Sequence, residues 1–406
     1  MLSILILAPL VLALGKLEPA AGKIIFGAWL DNSNAPVSGG DTPLAYNSRI
    51  GFNAGAFQLW QNLPPRPVAE APASDYAASN HNPDGTIDLT GLNDKTNAAV
   101  FLTVYPLGLT TVTDDHLTAL GNQCNQIINS TRRNVFIRLA PEMNGDWFVY
   151  GKQPDAFIAL WKRAYTIVTQ ISPTVAFVWS PNFNGPNNDE PYDPYWPGPD
   201  YVDWVGVSVY WKGSVNDYPW IHNTNAPSNY VAQIIDAAPG PEGGPISFYQ
   251  QYAVKYSKPF VISECASAFH IGILNADGTS TALDAGIGRT QTIMSFWNSF
   301  LFNPTFLANY PLLKMVFALR FEPATLAAFS AGLKQLDSTG VVQWAQAVVP
   351  TTVTTAAPTT AAATGAAVNT AVTAAPGNAA AGNSKSSAME CGSMMGFASL
   401  ILSLCL

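Results

Sequence analysis

Residues 135–144 read Val-Phe-Ile-Arg-Leu-Ala-Pro-Glu-Met-Asn. An apolar run, short and β-branched at its start, stops abruptly at Glu142-Met143-Asn144. Such a run suits a strand covered on both faces, as in a parallel sheet. Seven comparable runs lie along the chain: Ile24–Leu30, Ala54–Trp60, Ala98–Tyr105, Val175–Trp179, Trp204–Tyr210, Pro259–Ser263 and Leu312–Leu319.

Helical patterns lie between several of them. Asp114 to Ile128 sets Leu117, Leu120, Cys124 and Ile127-Ile128 at helical spacing. Pro154 to Gln170 opens with proline at the first helical position and lines up Phe157, Leu160-Trp161, Ala164-Tyr165 and Val168 on one face. Ile287 to Phe300 reads likewise. Eight strands separated by helices, without an internal linker or repeat, predict a single (β/α)8 TIM barrel over residues 23–350. An open doubly wound sheet would want a glycine-rich phosphate turn after its first strand, and Gly27-Ala28-Trp29-Leu30-Asp31 is not one.

Polar residues gather where these runs end. Asp31-Asn32 closes the first, Glu142-Met143-Asn144 the fourth, Ser180-Pro181-Asn182 the fifth, and Tyr210-Trp211 the sixth. Glu264 closes the seventh and Arg320-Phe321-Glu322 the eighth. In a barrel of this kind the chemistry sits at the C-terminal strand ends. Carboxylates, amides and aromatic rings on one mouth suit a sugar, whose C–H faces stack on rings and whose hydroxyls need polar partners.

Glycoside hydrolysis needs one protonated carboxyl and one ionised carboxylate. Glu142 and Glu264 are the best pair, since each directly follows an apolar run and is expected to be buried. Arg138 lies four residues before Glu142, and a strand period of two puts both on the inner face. Arg138 either holds a catalytic carboxylate ionised or forms a purely structural ion pair. Tyr210 is placed to donate a hydrogen bond to the nucleophile. Asn144 and Asn182 are candidate sugar contacts, and Asp31 and Glu322 are reserve carboxylates. Trp147, Trp179 and Trp211 are sugar platforms or else core residues. His270 either lines the mouth or is an ordinary loop histidine. No spacing of His, Cys and acidic residues suggests a metal site, and no cofactor is expected.

Arg138-Leu-Ala-Pro-Glu142-Met-Asn-Gly-Asp-Trp147-Phe-Val-Tyr-Gly151 resembles the acid/base motif of glycoside hydrolase family 26. Phe177 to Asn182 resembles that family's fifth strand, and Tyr195 to Tyr210 its sixth strand with the preceding loop. Lys258-Pro-Phe-Val-Ile-Ser-Glu264 resembles its nucleophile strand. The resemblance implies a retaining enzyme of the clan of β-mannanases, β-glucanases and xylanases, with Glu142 as acid/base and Glu264 as nucleophile. Departures mark a divergent member. Pro141 stands where the family carries His, Cys265-Ala266 follows the nucleophile, and Leu319 to Glu322 lacks the usual Trp pattern.

The two ends differ from the body. Met1 to Leu14 is almost wholly apolar and too short to span a bilayer, as expected of a secretory signal peptide. Its end falls at Ala13-Leu14-Gly15 or at Ala20-Ala21-Gly22, and the leader is assigned to residues 1–22; a buried N-terminal helix is the other reading. Residues 351–383, rich in Thr, Ala and Pro, have too few large apolar side chains to offset ordering entropy and read as a disordered, O-glycosylated stalk. Residues 384–406 read as a GPI-attachment signal, with Asn383 as the attachment residue, in preference to a transmembrane tail. Asn129-Ser130-Thr131 is an N-glycosylation sequon. Cys391 and Cys405 fall in the discarded tail; Cys124 and Cys265 remain, as a disulfide or as two buried thiols.

The net charge of −8, without basic clusters, argues against nucleic acid and anionic membrane surfaces as partners. The expected protein is a monomeric, secreted, GPI-anchored glycoside hydrolase that cleaves or transglycosylates a neutral β-linked polysaccharide at the cell surface or wall. The alternative is an inactive glycan-binding wall or adhesion protein on the same barrel. A lyase or esterase finds no Ser/His/Asp arrangement to support it.

Overall fold

The computed structural model describes residues 14–30, 42–70, 81–92, 94–186, 190–217, 220–275, 279–318 and 323–348. Among these, eight parallel strands hydrogen-bond in sequence order: β1 (Ile24–Trp29), β2 (Ala56–Leu63), β3 (Ala99–Pro106), β4 (Val135–Leu139), β5 (Ala176–Trp179), β6 (Trp204–Trp211), β7 (Phe260–Ser267) and β8 (Leu313–Ala318). β8 pairs back onto β1, from Ile25↔Met315 to Ala28↔Ala318, so the sheet closes into a barrel. Each strand falls within a residue or two of its predicted start, and β7 runs four residues past its predicted end.

The helices are α1 (Pro43–Ile50), α2 (Asp114–Thr131), α3 (Pro154–Ile171), α4 (Tyr230–Asp236), α5 (Arg289–Asn298), α6 (Pro304–Asn309) and α7 (Pro323–Ser338). Thr113 caps α2 through the His116 amide, with Asp114 and Asp115 complementing the helix dipole in the first turn. α3 starts with Pro154 and buries Phe157, Leu160, Trp161, Ala164 and Val168, the face its spacing predicts. The connections from β2 to β3 and from β5 to β6 carry only short 3₁₀ turns among the described residues.

Alternation along the strands divides the core in two. Outward side chains pack under the helices, and Ile25, Ala56, Ala99, Phe101, Phe136, Ala176, Val178, Trp204, Val261, Met315 and Phe317 fill the barrel itself. Phe101 and Phe317 approach to 4.4 Å between ring centres, and Phe136 meets the edge of Trp204 at 5.2 Å. Gly27 is required here, because a Cβ on it would lie 2.4 Å from the Phe317 ring. The barrel is therefore solid, and only its two ends are open to other groups.

The lower end, at the N-terminal ends of the strands, is closed by residues 15–20. Leu17 packs against the interior cluster. The Lys16 carbonyl accepts the Trp204 indole N–H at 2.7 Å. Glu18 pairs with the buried Lys314 at 3.3 Å and also accepts the Gly15 amide at 2.7 Å. Ala20 donates to the Gln343 side chain at 3.2 Å. Residues 15–20, assigned to the leader when it is taken to end at Gly22, are thus packed as part of the barrel floor. Residues 1–13, the stalk, Asn383 and the tail lie outside the described residues.

Cys124 on α2 and Cys265 on β7 are both buried and free, so they form no disulfide. Burial pushes the Cys124 thiol up to about 12 and holds Cys265 well above its ordinary value, the charge of Glu264 adding to the latter. Both behave as packing residues.

Candidate active site

The mouth is built on a polar layer above the apolar interior. Arg138 extends from the inner face of β4, fully buried, in register with Thr103 of β3. Thr103 accepts a hydrogen bond from Gln58 of β2 at 2.8 Å. Across the barrel Ser180 donates to Ser263 at 2.9 Å, and Arg138 donates to Ser208 of β6 at 2.9 Å. Gly206 makes room for this layer, since a Cβ there would sit 2.7 Å from the Ser263 hydroxyl.

Glu142 reaches the mouth by a turn. β4 ends at Leu139, and Ala140 and Glu142 adopt left-handed φ values of 44° and 55° on either side of Pro141. Period-two alternation therefore does not carry from Arg138 to Glu142, contrary to the expectation from spacing. Left-handed backbone costs a non-glycine residue about 1–2 kcal/mol, so the surroundings must impose it. Three hydrogen bonds do so. Ala140 N–H donates to Val104 at 2.8 Å, Glu142 N–H to Ser180 at 2.9 Å, and the Tyr150 hydroxyl to the Pro141 carbonyl at 2.9 Å.

Glu264 reaches the mouth by a bulge. Along β7, Val261 faces the interior and Ser263 bonds to Ser180 within it. Alternation alone would then turn Glu264 outward. The register breaks at this point on both sides: Val207↔Ile262 is followed by Ser208↔Glu264, and Val316↔Ile262 by Ala318↔Cys265. The extra residue redirects Glu264 inward, as bulges beside active sites do. Glu264 forms an ion pair with Arg138, and its other oxygen accepts the Tyr210 hydroxyl at 2.7 Å. Burial and then the charge of Glu264 hold the Tyr210 phenol well above its ordinary value, so Tyr210 remains a donor.

The two glutamates sit in different electrostatic settings. Burial raises the Glu142 carboxyl above its ordinary value, and the charge of Glu264 raises it further. Arg138 and hydrogen bonds from Ser208 and Trp147 oppose this without reversing it. Glu264 by contrast holds the guanidinium directly. One carboxyl is thus favoured as the acid while the other lies against a buried cation, an unequal setting of the kind glycoside cleavage uses.

The loop from Glu142 to Lys152 folds over itself. Trp147 donates its indole N–H to Glu142 Oε2 at 2.9 Å. Its ring crosses Gly145 so closely that a Cβ there would lie 2.2 Å away, and a Cβ on Gly151 would meet the Gly145 carbonyl at 2.1 Å. Both glycines in the motif serve this close approach.

Other predicted site residues divide. Asn144 is buried and tied to backbone, donating to the carbonyls of Asn182 and Glu190 and accepting the Asn182 amide at 2.8 Å. Asn182 donates to the Glu190 carboxylate at 2.7 Å. These amides clamp the loops behind Glu142. Trp179 and Trp211, expected either as sugar platforms or as core, are core. Trp179 is fully buried, stacks on Phe248 and donates to the Tyr195 carbonyl. Trp211 is 1% exposed, packs on Tyr230 and donates to the Thr224 carbonyl. His270 bonds through its ring to the Lys212 carbonyl at 2.6 Å and serves as a loop tie. Asn129 is exposed in the last turn of α2. Asp31, Arg320 and Glu322 lie outside the described residues.

Sequence reasoning overlooked Ser208 and Tyr105. Ser208 touches Arg138 and Glu142. Tyr105 stands two residues beyond Thr103 on β3, with its ring 5.4 Å from Phe148 and 6.3 Å from Trp60. Both lie on inward alternate positions, so periodicity carried a usable signal for each.

Residues 105–247 match the family model described as Glycosyl hydrolase family 26. Among solved structures, the catalytic domain of the family 26 endo-β-1,4-mannanase of Bacillus sp. JAMB-750 aligns with 79% of this chain and 87% of its own, at 13% identity and a TM-score of 0.51, a likeness of barrel fold. The family 26 β-mannanase of Bacteroides ovatus aligns with 80% of this chain and 90% of its own, at 14% identity and a TM-score of 0.47. A comparison with curated proteins gives no match.

Proposed function

From the premise that this chain is a divergent member of glycosyl hydrolase family 26, and so a glycoside hydrolase acting on O-glycosyl bonds, we propose that it is a retaining endo-β-glycanase acting on β-mannan or a related β-glucan. The supporting observation is the unequal setting of Glu142 and Glu264: one raised by burial and by its neighbour's charge, the other held by Arg138 and Tyr210.

In this reading a Glu264 oxygen attacks the anomeric carbon while the bond to the leaving oxygen breaks, and Glu142 passes its proton to that oxygen. Glu142, now a carboxylate, then takes a proton from water, which displaces Glu264 from the anomeric carbon and restores both groups. A sugar hydroxyl in place of water gives transglycosylation. Arg138 and Tyr210 orient the Glu264 carboxylate for attack and receive it again when water displaces it.

The proposed setting is extracellular: a leader brings the chain out, and a GPI anchor near Asn383 holds it at the cell surface on a glycosylated stalk. The composition of the two chain ends supports this, and release of the protein from intact cells by a phosphatidylinositol-specific phospholipase tests it.

The activity test is a screen of the purified protein on mannan, mixed-linkage glucan, β-1,3-glucan and xylan, with proton NMR of the first-formed anomer. Retention on mannan or a β-glucan is expected, and Glu264→Ala should remove turnover, by a factor of about 10⁴ or more, while the thermal midpoint stays measurable. Undiminished turnover in Glu264→Ala, or inversion, rejects the mechanism. Binding without turnover in the wild type favours the glycan-binding alternative.

A further inference from the structure

We propose, resting on the reading of this mouth as a sugar-binding site, that Tyr105 is a specificity-determining residue whose hydroxyl donates a hydrogen bond to the sugar unit seated between Glu142 and Glu264. The register places it there. Thr103 pairs with Arg138, so Tyr105, two residues on along β3, occupies the next inward position toward the mouth. Its ring is held between Phe148 and Trp60. Phe148 adjoins Trp147, which in turn bonds to Glu142. The tyrosine is thus fixed against the acid/base loop and is half-buried.

What singles it out is an uncommitted hydroxyl. Tyr210 donates to Glu264, Tyr150 to the Pro141 carbonyl and Tyr230 to the Tyr210 carbonyl. Tyr105, by contrast, makes no hydrogen bond to any described residue, and its oxygen is not among the buried polar atoms left without a partner. The oxygen is therefore not sealed within the core, and its inward position on β3 turns it toward the mouth. Its phenol is held above its ordinary value by burial and then by the charge of Glu264, so it stays protonated across any working pH. A neutral donor facing two carboxyl groups suits a sugar hydroxyl, which accepts from the phenol and donates to a carboxylate.

The test is Tyr105→Phe, which keeps the ring between Phe148 and Trp60 and removes only the oxygen. Two readouts are compared with the wild type: kcat/KM on the oligosaccharide of the best substrate in the four-glycan screen, and calorimetric affinity for mannopentaose, cellopentaose, laminaripentaose and xylopentaose in a Glu142→Gln background. Loss of a hydrogen bond to a substrate hydroxyl should lower kcat/KM about 10- to 100-fold and affinity about 5-fold or more, with the thermal midpoint and the pH profile unchanged. Values within two-fold of the wild type overturn the proposal, as does a loss that follows a fall in thermal midpoint. A wild type that binds sugar without cleaving it rejects the hydrolase reading alone, and the affinity comparison still decides Tyr105. A chain that binds none of the four oligosaccharides rejects both.

Discussion

The Trp147 indole, 2.9 Å from Glu142, bonds to the ionised form and so opposes the burial that raises this carboxyl. The acid must be protonated for the first bond to break, so kcat/KM falls as pH rises through its pKa. Trp147→Phe removes the opposing hydrogen bond, and the alkaline limb of the kcat/KM profile should move to higher pH, with kcat lowered about ten-fold as Glu142 loses its orientation. A limb that stays in place or moves down contradicts the assignment. Arg138→Met makes a separate test. It leaves Glu264 without its cation, an effect worth roughly 3–5 kcal/mol for a broken buried pair. Both the thermal midpoint and turnover should fall, as scanning calorimetry and initial rates would show. Glu142, Glu264, Arg138 and Tyr210 were legible because each follows or interrupts an apolar run. Trp179 and Trp211 could not be sorted that way: a tryptophan at a strand end reads alike whether its ring faces the mouth or packs under a helix, and here contacts with Phe248 and Tyr230 decide it.

At the level of elements, both glutamates depend on breaks in regular structure. One follows a left-handed turn after β4; the other stands on a bulge in β7. Counting by twos predicts neither. It assigned Arg138 and Glu142 to one face of one strand, which reached the right place by the wrong route, and it would have turned Glu264 away from the mouth. A bulge leaves no mark in composition when every residue around it is small or apolar, as in Ile262-Ser263-Glu264-Cys265. The glycines of the acid/base loop are the legible counterpart. Gly145→Ala inserts a methyl 2.2 Å from the Trp147 ring and must displace the indole from Glu142. Activity should fall about ten-fold or more, while stability changes by only about 1–2 kcal/mol, because the ring can swing toward solvent. Denaturant melts and rates on one preparation separate the two effects.

For the whole molecule, eight near-continuous apolar runs were enough to identify the barrel, because parallel strands buried on both faces need them. The floor was not legible, since Gly15-Lys-Leu-Glu-Pro-Ala20 has no periodicity and adjoins the apolar stretch from Met1 to Leu14. A chain beginning at Lys23 loses the Glu18 partner of Lys314 and the acceptor for the Trp204 indole. Compared with one beginning at Gly15, its thermal midpoint should drop by at least about 5 °C, on the basis of roughly 3 kcal/mol lost with those partners. Equal midpoints would show that the arm only rests on the floor. The bulge and the turn also differ in what surrounds them. Glu264 sits in a strand bonded on both sides, whereas Glu142 heads a loop held by scattered bonds, some among its own residues and some to Ser180, Asn182 and Glu190. The two carboxyl groups therefore stand on supports of different stiffness, and amide exchange should proceed by global opening along β7 but by cheaper local opening around residues 142–152. In the proposed retaining cycle, the group that would take and return a proton sits where small excursions cost less, and the group that would bond covalently to the sugar sits where they cost more.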